Sequence, residues 1–138
     1  MIKFALHPPH AGWVHVELEG KGVSFGVTGS YLSDCLRDLV DTIQSLATAK
    51  SATCTWEQEP GVIIWSLGVK GDEVELTLTD GQSQILFREA EEWARFGVRV
   101  LAAFDKLLAE TGAERYESDW HHPFPVEAVR KLRNALHR

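Results

Sequence analysis

Cysteine is scarce in this chain: Cys35 and Cys54 are the only two among 138 residues. Two are too few for a disulfide scaffold, and their separation fits no CxxC redox or zinc motif. Both are expected to be small buried thiols. Long apolar runs are also missing. The opening Met1-Ile2-Lys3-Phe4-Ala5-Leu6 is cut by His7-Pro8-Pro9-His10, far short of a signal-peptide core. No stretch approaches the roughly 18 to 20 apolar residues that cross a bilayer. The expectation is a cytoplasmic chain with no membrane contact.

Positive charge is short as well. Fourteen Lys and Arg against twenty Asp and Glu give a net charge of −6. That balance opposes nucleic-acid binding, which needs clustered cations to neutralise phosphates. It suits a basic protein partner instead. The one basic stretch is 126 to 138, where Arg130, Lys131, Arg133 and Arg138 face Glu127 alone. Repeats, low-complexity segments and linkers are lacking, and 44% hydrophobic content is enough for one core. The chain is therefore expected to form a single domain over 1 to 138.

Residues 13 to 19 and 22 to 28 alternate at period two around Gly20-Lys21-Gly22, which predicts a hairpin, with a short strand at 2 to 6 before it. From Ser30 the period lengthens. Leu32, Leu36, Leu39, Val40, Ile43 and Leu46 form a helical stripe over about 31–49, with Ser30 or Ser33 as cap and Asp34 set against the helix dipole. Strands return at 51 to 58, 62 to 69, 73 to 79 and 82 to 87, divided by Glu59-Pro60-Gly61, Lys70-Gly71-Asp72 and Asp80-Gly81. A tight Pro60-Gly61 turn would set Trp56 opposite Trp65.

Trp93, Phe96, Val100, Phe104, Leu107 and Leu108 then define a helix over about 89–111, ended by Gly112, with Gly97 as a point of close packing against the sheet. Val126, Val129, Leu132 and Leu136 define another over about 125–137, with Pro125 in its first turn. Because every visible strand turn is a hairpin, the expected class is α+β. The architecture expected is one antiparallel sheet of about five to six strands, with these three helices mainly on one face.

Chemistry-bearing residues are few. His7, His10 and His15 are near in sequence and His121 and His122 could approach them, but the prolines splay His7 from His10 and no HExxH or CxxC pattern is present, so neither a metal nor any other cofactor is expected. The glycines match neither GxGxxG nor a P-loop. Asp119, His121 and His122, in Asp119-Trp120-His121-His122-Pro123-Phe124-Pro125, offer a carboxylate beside two imidazoles. They form the minority candidate for a metal-dependent or hydrolytic enzyme, although no GxSxG elbow supplies a nucleophile. The same stretch also reads as a fastening, with Trp120 and Phe124 as its apolar weight and Pro125 starting the last helix. Asp34, Asp38 and Asp41 lie at i, i+4 and i+7 opposite the apolar stripe of the first helix. With Glu57 and Glu59 they form a candidate acidic face for steering a basic partner.

Trp56-Glu57-Gln58-Glu59-Pro60-Gly61 followed by Trp65, with the Leu-rich helix before it and Trp120 and Pro123-Phe124-Pro125 after it, resembles a set of small uncharacterised bacterial α+β proteins. The resemblance covers about residues 30 to 80 and the final 20, and its motifs are structural, so it carries over no functional residues. Small acidic α+β chains of this kind also resemble immunity proteins of bacterial toxin systems, which implies a toxin as partner. The leading expectation is a non-enzymatic protein-binding module. A homodimer joined through a sheet edge or exposed tryptophans is a further alternative.

Overall fold

The computed structural model describes residues 1–137. Strand β1 (Lys3–Leu6), β2 (Trp13–Gly20) and β3 (Val23–Ser30) form one antiparallel sheet, followed by α1 (Cys35–Ser45). A second antiparallel sheet takes β4 (Ser51–Glu57), β5 (Val62–Lys70), β6 (Glu73–Thr79) and β7 (Ile85–Glu92). Helices α2 (Trp93–Thr111), α3 (Ala113–Trp120) and α4 (Val126–Leu136) complete the chain. The class is α+β, but the expected single sheet is replaced by two, of three and four strands. Turn residues specify the pairs within each hairpin. They carry no information on whether β3 pairs with β4 across α1, and it does not.

Alternation builds the core. Val14, Val16 and Leu18 of β2 point inward, as do Trp65 and Leu67 of β5 and Val74, Leu76 and Leu78 of β6. They join the buried faces of α1, α2 and α4 in one cluster. Helix α1 packs on β4 and α4, while α2 packs on β1, β7 and α4. The chain approaches itself closely at Gly29, where a Cβ would lie 2.7 Å from Sγ of Cys35 and 2.8 Å from Cε3 of Trp56. Only glycine lets the end of β3 lie between α1 and β4 there.

Several expectations change at element boundaries. Helix α1 is shorter than 31–49, and its cap is Asp34 rather than Ser30 or Ser33. Glu89 to Glu92 belong to β7 and not to the following helix, which starts at Trp93. A fourth helix, α3, follows Gly112, where a stop was expected. Pro125 caps α4 instead of entering its first turn. Gly97 serves a helix contact rather than the sheet, since a Cβ there would lie 2.8 Å from Cδ2 of Leu136. In the β4–β5 hairpin the tip is Glu59-Pro60 rather than Pro60-Gly61, Gln58 N–H donating to the Gly61 carbonyl at 3.0 Å. That pairs Trp56 with Ile63 and Trp65 with Cys54. The two indoles are consequently diagonal neighbours on the inner face, 4.9 Å between ring centroids.

The strand assignment of Glu89 and Glu91 rests on tertiary partners, because both side chains point inward and are nearly buried. Glu91 accepts from the Ile2 N–H at 2.7 Å and is ion-paired to Arg99, which also donates to the Ile2 carbonyl at 3.0 Å. Glu89 lies over Gly20, accepts from the Ala90 N–H at 3.1 Å and has Lys21 Nζ at 3.8 Å. These carboxylates tie the first sheet to the second. Burial alone would push the Glu91 carboxyl up, but the Arg99 hydrogen bond, the Ile2 N–H and the Arg99 charge outweigh it and hold the group below the ordinary glutamate value. A depressed folded value contributes stability above the unfolded value of about 4.3, lost as pH falls through the folded one. Glu91→Gln should therefore cost about 3 kcal/mol at pH 7, the low end for breaking a buried pair because Arg99 keeps some water. Urea melts of both proteins should show this difference shrinking below about pH 4.

Candidate functional site

Asp34, Asp38, Asp119, His121 and His122 lie where α1 begins and α3 ends. Asp34 caps α1, its Oδ1 accepting from the Arg37 N–H at 3.4 Å. The same oxygen accepts from the Trp120 indole Nε1 at 3.0 Å. Asp34 is thus bound inside the fold and half-buried, and it does not stand free beside Asp38 and Asp41. Those two flank Arg37, whose guanidinium lies 3.8 Å from Asp38 and 3.9 Å from Asp41. Glu57 ends β4 and is half-buried, while Glu59 is exposed in the following loop. Gln58, between them, donates to the Thr28 carbonyl at 3.1 Å and brings the loop to β3.

Asp119 is turned to Arg115, while His121 and His122 both meet Tyr31. The Asp119 carbonyl accepts from Gly12 N–H at 2.8 Å, and its carboxylate lies 3.5 Å from Arg115. His121 closes α3 in the left-handed region at φ 72°, and its ring meets Tyr31 edge-on. His122 donates through Nε2 to the Tyr31 carbonyl at 2.7 Å. Trp120 is fully buried, and Phe124 packs edge-on against Phe104 and Tyr116. The stretch is tied to Gly12, Tyr31 and Asp34, all distant in sequence, as a fastening requires.

Electrostatics follow from this packing. Burial, then the Asp34 charge, pushes the Cys35 thiol and the Tyr116 phenol far up, so both remain neutral at physiological pH. Burial likewise pushes the Cys54 thiol up to about 11. Both cysteines are free, with Cys35 buried and Cys54 half-buried. Asp38 is raised by burial above all, then by its neighbours Asp34 and Asp41, against the lowering effect of Arg37. The basic tail is largely paired: Arg130 holds Glu127 at 2.6 Å and Arg133 holds Asp105 at 2.7 Å. Arg138 lies outside the described residues.

Three exposed side chains adjoin the acids. Trp13, Tyr31 and Leu32 are 40%, 43% and 58% exposed. Trp13 pairs with Ser30 across β2 and β3, and the Tyr31 ring lies over Gly12, where a Cβ would come within 2.6 Å of it. Trp56, Trp65 and Trp93 behave as core residues, Trp93 donating its indole N–H to the Ile43 carbonyl at 3.0 Å. The sequence reading passed over Trp13, because an exposed aromatic at a strand start has no periodic signature. It also missed the convergence of His7, His15 and Glu17, the group among the described residues whose ligand atoms approach one another. The His15-x-Glu17 alternation on a strand was its available signal. No helix among the described residues is long and apolar enough to cross a membrane. Comparison of the chain with protein-family models, curated proteins and solved structures finds no match.

Trp120→Ala should destabilise the fold by roughly 3–5 kcal/mol, the usual cost of emptying a buried tryptophan site. His121→Asn should cost far less, since asparagine tolerates the left-handed conformation. Chemical denaturation of the two variants measures the contrast.

Proposed function

We propose that the protein is a non-enzymatic binding module that docks a basic protein, in the manner of toxin-system immunity proteins. Trp13, Tyr31 and Leu32 supply the apolar anchor, and Asp38 and Asp41, with Glu57 and Glu59 on the adjoining loop, supply the charge. The observation that carries this reading is that Tyr31 and Leu32 are exposed and lead directly into the acidic helix α1, while exposed Trp13 pairs with Ser30 just before them. Aromatic anchors bordered by charge are the usual composition of a binding hot spot and its rim. The acids set encounter rate and partner choice, and the aromatics set residence time.

Asp38 has a pH signature of its own. Burial, its largest cause, holds its carboxyl above the ordinary aspartate value, so ionisation at neutral pH opposes folding. Stability from such a group is greatest below the unfolded aspartate value of about 3.9 and is lost as pH rises through the folded value. Asp38→Asn should therefore raise the thermal midpoint at pH 7 and leave it nearly unchanged near pH 3.

Binding kinetics test the docking surface. Asp38→Lys with Asp41→Lys should lower the association rate with a basic partner by roughly tenfold or more and weaken its salt dependence. Trp13→Ala with Tyr31→Ala should chiefly raise the dissociation rate. A natural partner whose association ignores the two charge reversals overturns the proposal.

A further inference from the structure

The solvent face of the three-stranded sheet holds a cluster that the docking surface does not use. Alternation along β2 sends His15 and Glu17 to that face, two residues apart. Just beyond β1, His7 donates its backbone N–H to the His15 carbonyl at 3.0 Å, which extends the β1–β2 pairing by one position. The His7 and His15 rings consequently lie side by side, 5.1 Å between centroids. His15 Nε2 contacts Glu17 Oε1 directly. One ligand atom from each of the three residues falls within 4.8 Å of the others.

Gly26 is an independent sign that the space above this cluster matters. It stands inside β3, opposite Glu17, where glycine weakens a strand. A Cβ there would lie 2.9 Å from Cε1 of His15 and 3.5 Å from Oε1 of Glu17, so any side chain would turn His15 away from the carboxylate. Two imidazoles and a carboxylate form the donor set of zinc-class ions, whereas calcium and magnesium prefer all-oxygen sites. Bonds of about 2.0–2.2 Å set tetrahedral donors about 3.4 Å apart, so the donors need to close by roughly an ångström. Side-chain rotation provides that, because His7 and Glu17 are exposed and His15 is half-exposed.

We propose that His7, His15 and Glu17 bind one divalent transition-metal ion of the zinc class, with water completing its coordination. The ion joins the segment after β1 to β2 and leaves an open coordination position facing solvent.

Titration calorimetry of the untagged full chain with Zn²⁺ tests this directly. The expected result is one ion per chain with micromolar affinity, accompanied by a rise in thermal midpoint. His7→Ala, His15→Ala and Glu17→Gln should each weaken binding by at least roughly tenfold, while His10→Ala and the double variant His121→Gln, His122→Gln leave it unchanged. Gly26→Val retains all three donors yet should also weaken binding, a result that simple loss of a ligand does not produce. Circular dichroism confirms that each variant is folded. Absence of binding in the wild type at millimolar Zn²⁺, or binding that survives the triple donor variant, overturns the assignment. Neither outcome bears on the docking surface, whose acids belong to other elements.

Discussion

One carboxylate oxygen does two structural jobs in this fold. Asp34 Oδ1 accepts the first-turn N–H of Arg37 and the indole N–H of Trp120. The first bond fixes where α1 starts; the second fixes where α3 ends. Because α1 also packs on β4 and α4, that oxygen sets the relation of the second sheet to the C-terminal helices. Burying it halfway is tolerable because two hydrogen bonds satisfy the oxygen as an acceptor. The same commitment withdraws Asp34 from the acidic row of α1 and leaves Asp38 and Asp41 to act outward.

The pattern of the strands was legible because alternation and turn residues are local properties. So were the α+β class, the stripe of α1 and the buried roles of Trp56 and Trp65. Errors arose where distant residues decide. Glu89-Ala90-Glu91-Glu92 has helical composition, yet Arg99 and the backbone of Ile2 provide partners that only a strand at this position can reach. Helix α3 is short and polar outside Tyr116 and Trp120, so no stripe announced it. The close approach of Gly29 to Cys35 and Trp56, where β3 meets α1 and β4, is likewise encoded in no periodicity.

The candidate sites divide along the same line. Asp38 and Asp41 were visible as spacing on a helix. Asp119, His121 and His122 were visible as a cluster in sequence, but proximity along the chain did not bring the carboxylate to the imidazoles, because Asp119 turns to Arg115 while both histidines meet Tyr31. His7 and His15 show the converse. Two prolines remove His7 from His10, and the strand pairing that follows delivers it to His15 instead.

Strand order equals chain order in both sheets, so each ladder closes through a short turn. The two polar ties are of another kind: Trp120 reaches Asp34 across 86 residues, and Ile2 reaches Glu91 across 89. Closing such long loops is entropically expensive until most of the apolar surface has already met. Loop-closure entropy therefore favours the local hairpin contacts over the long-range docking that joins them. In the cell, the interval before docking is when Trp56, Trp65 and the inner face of β2 stand in water. A net charge of −6 opposes association between chains in that state.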